Sequence, residues 1–104
     1  MYRTPKSFNK PAICVYAIIN KTLGLTYIGS TKAFYYRCSF HQSRLKYNTH
    51  ENKKLIQLYN NDPVREHWDF IVLEDCSTHP ENLHEREVFY ISALKPECNV
   101  YSRK

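Results

Sequence analysis

The amino-acid sequence predicts an α+β domain: a small three-stranded sheet flanked by helices. Two observations carry this expectation. Hydrophobic periodicities run in the order ββααβα along the 104 residues, a mixed order that packs as helices against one sheet. The first two strand-like runs also lie so close together that they should pair as a hairpin. The length allows one compact domain and no more, and 42% hydrophobic residues, with 14% aromatic, suffice for a core.

Residues 1–11 read as a basic lead-in ending at Pro11, and residues 12–104 as the domain. ICVYAII (13–19) is a strand, NKTLG (20–24) a turn and LTYIGS (25–30) a second strand. The hairpin brings Tyr16 and Tyr27 near each other and sets Gly29 where backbone has to approach closely. Thr31 can cap a helix running to about Tyr47, with Phe34, Cys38 and Leu45 at helical spacing and His41 between them. YNTH (47–50) is a break, and ENKKLIQLYNN (51–61) a short helix with Leu55, Leu58 and Tyr59 inward. NDP (61–63) turns the chain into the strand HWDFIVLED (67–75), with Trp68, Phe70, Val72 and Glu74 on one side and Ile71 and Leu73 on the other. A last helix starts near Pro80, ends at about Leu94 before Pro96, and leads into a short extended end at 98–101. There is no internal repeat, low-complexity segment or second domain.

Charge is divided along the chain. Residues 1–50 hold eight bases and no acid, whereas residues 51–104 hold all ten acids against seven bases. An acid-free half points to a polyanion partner. No run approaches the roughly 18 apolar residues of a membrane span, and no secretory signal opens the chain. The expectation is an intracellular protein, in cytoplasm, nucleus or nucleoid, neither secreted nor membrane-bound. Cys14, Cys38, Cys76 and Cys98 form no CxxC pair, so a structural zinc site or disulfide framework is not expected; Cys14 and Cys38 read as small core residues.

The last helix carries an anomaly. Leu83, Glu87, Tyr90, Ile91 and Leu94 fall on one stripe, and a carboxylate among apolar residues needs a cation, a metal or donors. Glu87 is therefore either a metal ligand or the partner of Arg37 or Arg86. Arg37 and His41 are i and i+4 on one helix face; the guanidinium fork suits a phosphate, and His41 could orient water or simply fill the core. Cys38 beside His41 could suggest a thiol nucleophile, but no oxyanion feature accompanies it. A tyrosine of ordinary pKa about 10 needs a cationic field to act as a base, which Arg37, His41 and a metal on Glu87 would provide.

In this order these residues resemble the GIY-YIG nuclease family over residues 13–101. Cys14-Val15-Tyr16 stands where the family has Gly-Ile-Tyr and keeps the tyrosine; Tyr27-Ile28-Gly29 is intact, followed by Ser30-Thr31. The family's helix arginine falls on Arg37, the histidine of many members on His41, the metal-binding glutamate on Glu87 (Glu85 being the alternative match) and the C-terminal asparagine on Asn99. His50 lies near the place of a second histidine found in some homing-endonuclease members. The resemblance implies a central antiparallel three-stranded sheet flanked by helices, and hydrolysis of DNA phosphodiesters to 5′-phosphate and 3′-hydroxyl ends. It implies one Mg2+ per site, with Mn2+ as a substitute, held by Glu87. Tyr16, Tyr27, Arg37, His41 and Glu87 are then the expected catalytic residues, with Gly29 and Asn99 supporting the site. Lys32, Arg44, Lys46, Lys53 and Lys54 are the expected nucleic-acid contacts. The substrate would be duplex or branched DNA, and one active site per chain leaves room for a homodimer or for a place within a larger protein. The alternatives are a nucleic-acid-binding module without catalysis, or a nuclease specific for RNA or branched structures.

Overall fold

In the computed structural model, which describes residues 12–99, three antiparallel strands form one sheet in the order β2-β1-β3. They are β1 (Cys14–Asn20), β2 (Gly24–Thr31) and β3 (Trp68–Asp75). Helices α1 (Phe34–Lys46) and α2 (Lys53–Asn61) separate the hairpin from β3, and α3 (Leu83–Leu94) follows it. The predicted sheet and flanking helices are thus present in the predicted order. The basic lead-in at 1–11 and the last residues of the predicted extended end lie outside the described residues.

The central strand β1 is the floor of the molecule, buried on both faces. Cys14, Tyr16 and Ile18 join Phe34, Cys38 and Leu45 of α1, Leu55 and Tyr59 of α2, and Trp68 and Phe70 of β3 in one core. Val15 and Ala17, on the other face, pack with Ile28, Cys76 and Leu83, and with the partly buried Tyr90 and Ile91 of α3. The layers are therefore α1 and α2, then the sheet, then α3. Each fully buried large apolar side chain contributes about 1.5–3 kcal/mol by leaving water. All four cysteines are free and buried.

The tight turn between β1 and β2 is fixed by local chemistry. Gly24 takes φ +83, a left-handed conformation that costs glycine nothing. The Asn20 side chain accepts the backbone N–H groups of Thr22 and Leu23 and donates to Asp62 at 3.1 Å. Asp62 also takes Nδ1 of His67 at 2.9 Å, while its carbonyl accepts the Trp68 indole N–H at 2.7 Å. One residue, through its carboxylate and its carbonyl, thus ties the hairpin turn, the end of α2 and the start of β3 together.

Three details depart from the sequence reading. Thr31 does not cap α1: Ala33 holds that position, and the Thr31 hydroxyl accepts the Ala33 N–H just before it. Glu74 does not share a face with Trp68. The pairing of β1 with β3 shifts between Val15 and Tyr16, so that Val15 faces Glu74 while Tyr16 faces Val72. Leu73 is the extra residue of a bulge, and the bulge turns Glu74 to the α3 side, where it accepts Nε of Arg86 and Oη of Tyr90, each at 2.9 Å. Leu94 ends its predicted stripe in solvent, at 47% exposure.

Candidate active site

Tyr16 sits mid-way along β1, the strand with a neighbour on either side, so its backbone is held by two ladders. Its ring points up under α1 and is 1% exposed. There it meets Phe34 at 5.8 Å and His41 at 5.7 Å between centroids. The spacing of α1 turns Phe34, Cys38, His41 and Leu45 inward, and His41 therefore arrives directly over the strand. Its Nε2 lies 2.7 Å from the Tyr16 hydroxyl, and its Nδ1 lies 2.7 Å from Nε2 of His50.

Tyr27, the register partner of Ile18 on β2, places its ring 6.4 Å from Tyr16 and 5.5 Å from His41. Burial raises its pKa, Glu87 raises it further, and Arg37 lowers it, so both charges act on one phenol. Arg37 lies with its guanidinium 4.8 Å from the Phe40 ring centre, and its Nε has no hydrogen-bond partner among the described residues. Glu87, half-buried on α3, accepts the Ser30 hydroxyl at 2.6 Å. Arg86, a conceivable partner for Glu87, is engaged by Glu74 instead.

Burial also dominates the electrostatics of Tyr16. Its phenol is held well above its ordinary 10.0, Tyr27 adds to the rise, and Arg37 opposes it. The pKa of His41 is lowered to about 3, first by burial and then by His50 and Arg37. The sequence reading expected Arg37 and His41 to supply a cationic field that lowers the tyrosine. In the fold His41 is a neutral ring and desolvation outweighs Arg37. The Cys38 thiol, pushed up to about 12 by burial, is an inert core group rather than a nucleophile.

Gly29 has a steric reason to be there. A Cβ at this position would lie 2.6 Å from the Tyr16 hydroxyl oxygen and 3.1 Å from the Tyr27 ring. Asn99 binds the backbone of β2 with both ends of its amide: Oδ1 accepts Ile28 N–H at 2.8 Å and Nδ2 donates to Ile28 C=O at 2.9 Å. Cys98 N–H donates to Thr26 C=O at 2.7 Å. Tyr27 is thereby clamped between two tie points.

A cavity of about 460 Å³ opens beside these residues, lined by Tyr27, Arg37, Phe40, His41, His50, Glu51, Asn52, Lys53, Lys54 and Cys98. Lys53 and Lys54 thus reach the site, although Lys54 also pairs with Glu97 at 3.2 Å. Arg44 lies 4.7 Å from the Phe40 ring centre, opposite in sequence to Arg37 on the same ring. Lys46 stacks on Tyr47, and Lys32 is exposed on the turn into α1; neither lines the cavity.

The family model for the GIY-YIG catalytic domain matches residues 12–102. The chain belongs to the GIY-YIG family. Its structure is similar to the catalytic domain of homing endonuclease I-TevI, with 29% identity and a TM-score of 0.72 over 86% of this chain and 95% of that one. It is equally similar in fold to a point mutant of the catalytic domain of intron endonuclease I-TevI, with 26% identity and a TM-score of 0.72 over 88% of this chain and 93% of that one. No curated protein sequence matches the chain.

Membership in the GIY-YIG family makes the chain a nuclease-type domain and gives the cluster around Tyr16 its context. Among the described residues no group of three or more His, Cys, Asp or Glu side chains could enclose a metal ion. This donor set suits a hard, hydrated cation of the Mg2+ kind, which keeps waters and needs only one or two carboxylates together with substrate phosphate; it does not suit a caged zinc. Glu87 is the carboxylate on hand, already oriented by Ser30. The sequence reading left out Ser30, Phe40, Glu51 and Asn52 and left His50 without a role. Ser30 acts through a single hydrogen bond, which no pattern in a sequence announces, whereas Asn52 caps α2 in a position that sequence can signal. Phe40 carries a legible sign, since it lies three residues after Arg37 and four before Arg44, where its ring can meet both cations.

Proposed function

We propose that the chain is an endonuclease that hydrolyses DNA phosphodiester bonds and leaves 5′-phosphate and 3′-hydroxyl ends, with one Mg2+, replaceable by Mn2+, held at Glu87. The observation that carries this reading is the arrangement around Tyr27: its ring lies 6.4 Å from Tyr16 and 5.5 Å from His41, it lines one cavity with Arg37, and Ser30 on the same strand donates to Glu87 of α3. A bound divalent cation would supply charge neutralisation at the scissile phosphate and at the departing 3′ oxygen.

The chain's own residues would do the rest. Tyr16, once its own proton has been lost, would take the proton of the attacking water as the phenolate, a form that Arg37 favours and burial opposes. Arg37 lines the cavity, where its guanidinium would donate to a phosphate oxygen and stabilise the charge that grows in the transition state. Tyr27 and His41 position water and phosphate, and Gly29 leaves room for Tyr16 to reach them. Lys53 and Lys54 line the open side, where a phosphate backbone would be drawn in. The acid-free first half of the sequence agrees with such a partner.

The test is cleavage of labelled duplex, flap and branched DNA, with RNA as comparison, by the purified chain with and without Mg2+. The expected result is Mg2+-dependent cleavage of DNA, reduced by about 10² or more in Glu87→Ala and Arg37→Ala, as when an oriented charge at a transition state is removed. Wild-type cleavage rates in either variant would sink the assignment.

A further inference from the structure

The two buried histidines form one continuous hydrogen-bonded chain whose ends differ in kind. His41 and His50 meet edge to edge, nearly coplanar, with ring centroids 4.9 Å apart and planes 16° from parallel, and are 1% and 5% exposed. Nδ1 of His50 receives the backbone N–H of Asn52 at 3.0 Å. A peptide N–H can only donate, so that nitrogen of His50 must present a lone pair. Its proton, in a neutral ring, then resides on Nε2 and points at Nδ1 of His41, 2.7 Å away. Nδ1 of His41 must accept, which leaves the His41 proton on Nε2, directed at the Tyr16 oxygen 2.7 Å away. The tautomers follow from the network without sight of a hydrogen.

Neutrality of both rings is consistent with their surroundings. Burial lowers both histidines, and the groups facing them include the cations Arg37 and, for His50, Arg44; Glu51 opposes the fall at His50. Asn52 itself is fixed. Its side chain caps α2 by accepting Leu55 N–H at 3.0 Å and also donates to Cys98 C=O at 2.9 Å. The end that sets the direction of the chain is therefore anchored to the start of α2 and to Cys98.

We infer that His50 is a positioning residue that, through His41, fixes the Tyr16 oxygen as a hydrogen-bond acceptor and turns the phenol's own proton away from the histidines. The inference rests on the nuclease reading for its catalytic meaning. It gives His41 a role different from that of a base: an Nε2–H held against Oη cannot take the tyrosine's proton, and it favours the phenolate by donating to it. A His41 of the other tautomer would present a lone pair to Tyr16 and pin the phenol proton in the core, out of reach of any water.

Two readouts test this on the full chain. In 15N-labelled protein near pH 7, the ring nitrogens of His41 and His50 are expected to show an unprotonated Nδ1 and a protonated Nε2 in both residues. A proton on Nδ1 of either ring, or a cationic ring, overturns the relay. The second readout is cleavage. His50→Ala is expected to lower kcat by about 10², as for a misplaced reacting group, with KM little changed and His41 now a mixture of tautomers. His50→Gln, whose amide can both accept from Asn52 N–H and donate to His41, is expected to restore most of that loss. Equal kcat in the Ala and Gln variants, or an unaltered His41 pattern in His50→Ala, overturns the inference. Should the wild-type chain cut no substrate, the nuclease reading falls, and the nitrogen pattern still decides the relay.

Discussion

At the scale of single residues, the site is governed by burial more than by charge. His41 shows how far this goes. Its ordinary value of 6.5 falls to about 3 in the fold, so below pH 6.5 the unfolded chain takes up a proton that the folded chain refuses. Stability is then greater with more protons removed: the contribution of His41 is fully present above pH 6.5 and is lost as pH falls from there toward 3, by up to about 1.4 kcal/mol per unit. Equilibrium denaturation of the wild type between pH 6.5 and 4 should therefore give a steeper fall than the same series on His41→Gln. Parallel slopes would refute a neutral buried ring. Gly29 makes the complementary point, because its importance lies in an absent methyl group: the Tyr16 oxygen occupies that space.

At the scale of elements, the strands and helices were legible because period 2 and period 3.6 are written in apolar residues. β1 reads as a continuous apolar run because both its faces are covered, and α1 shows Phe34, Cys38 and Leu45 at regular spacing because one side meets the sheet. The resemblance of Tyr16, Tyr27, Arg37 and Glu87 to a family pattern suggested a common site, and of these Tyr27 and Arg37 line the cavity. What escaped was single-residue geometry. The Leu73 bulge carries no signal in WDFIVLED, and it alone moves Glu74 across the sheet to Arg86 and Tyr90. The histidine relay escaped for a related reason: its direction is set by one backbone N–H. The end of α3 offers a test of local geometry. Lys95 follows the helix with φ 48 and ψ 62, a left-handed conformation, while its N–H still closes onto Ile91 C=O. Glycine adopts that region without the side chain's penalty, so Lys95→Gly should raise stability by up to about 1 kcal/mol. That corresponds to a rise in Tm of several degrees for a domain of this size, and a lower Tm would show that Lys95 makes contacts worth more than its strain.

At the scale of the whole molecule, bases dominate residues 1–50 and acids residues 51–104, yet folding brings Lys53 and Lys54 to the same cavity as Arg37. Sequence halves are therefore a poor map of the surface. Lys53 has no ion pair among the described residues, whereas Lys54 shares its ammonium with Glu97. If both meet phosphates, Lys53→Ala should reduce the slope of log K against log salt for DNA binding by about 1, and Lys54→Ala by less. Binding titrations over a range of salt concentrations check this, and an unchanged slope in Lys53→Ala would place the phosphate backbone elsewhere.

The doubled amide of Asn99 has a consequence beyond the site. β2 lies at the margin of the sheet, with β1 on one side only, and a bare margin of this kind is where a foreign strand can add itself. Asn99 takes both the N–H and the C=O of Ile28, and Cys98 takes the C=O of Thr26. Two residues outside any strand thus occupy three of the groups that a passing chain would need, and they guard the margin on either side of the tyrosine.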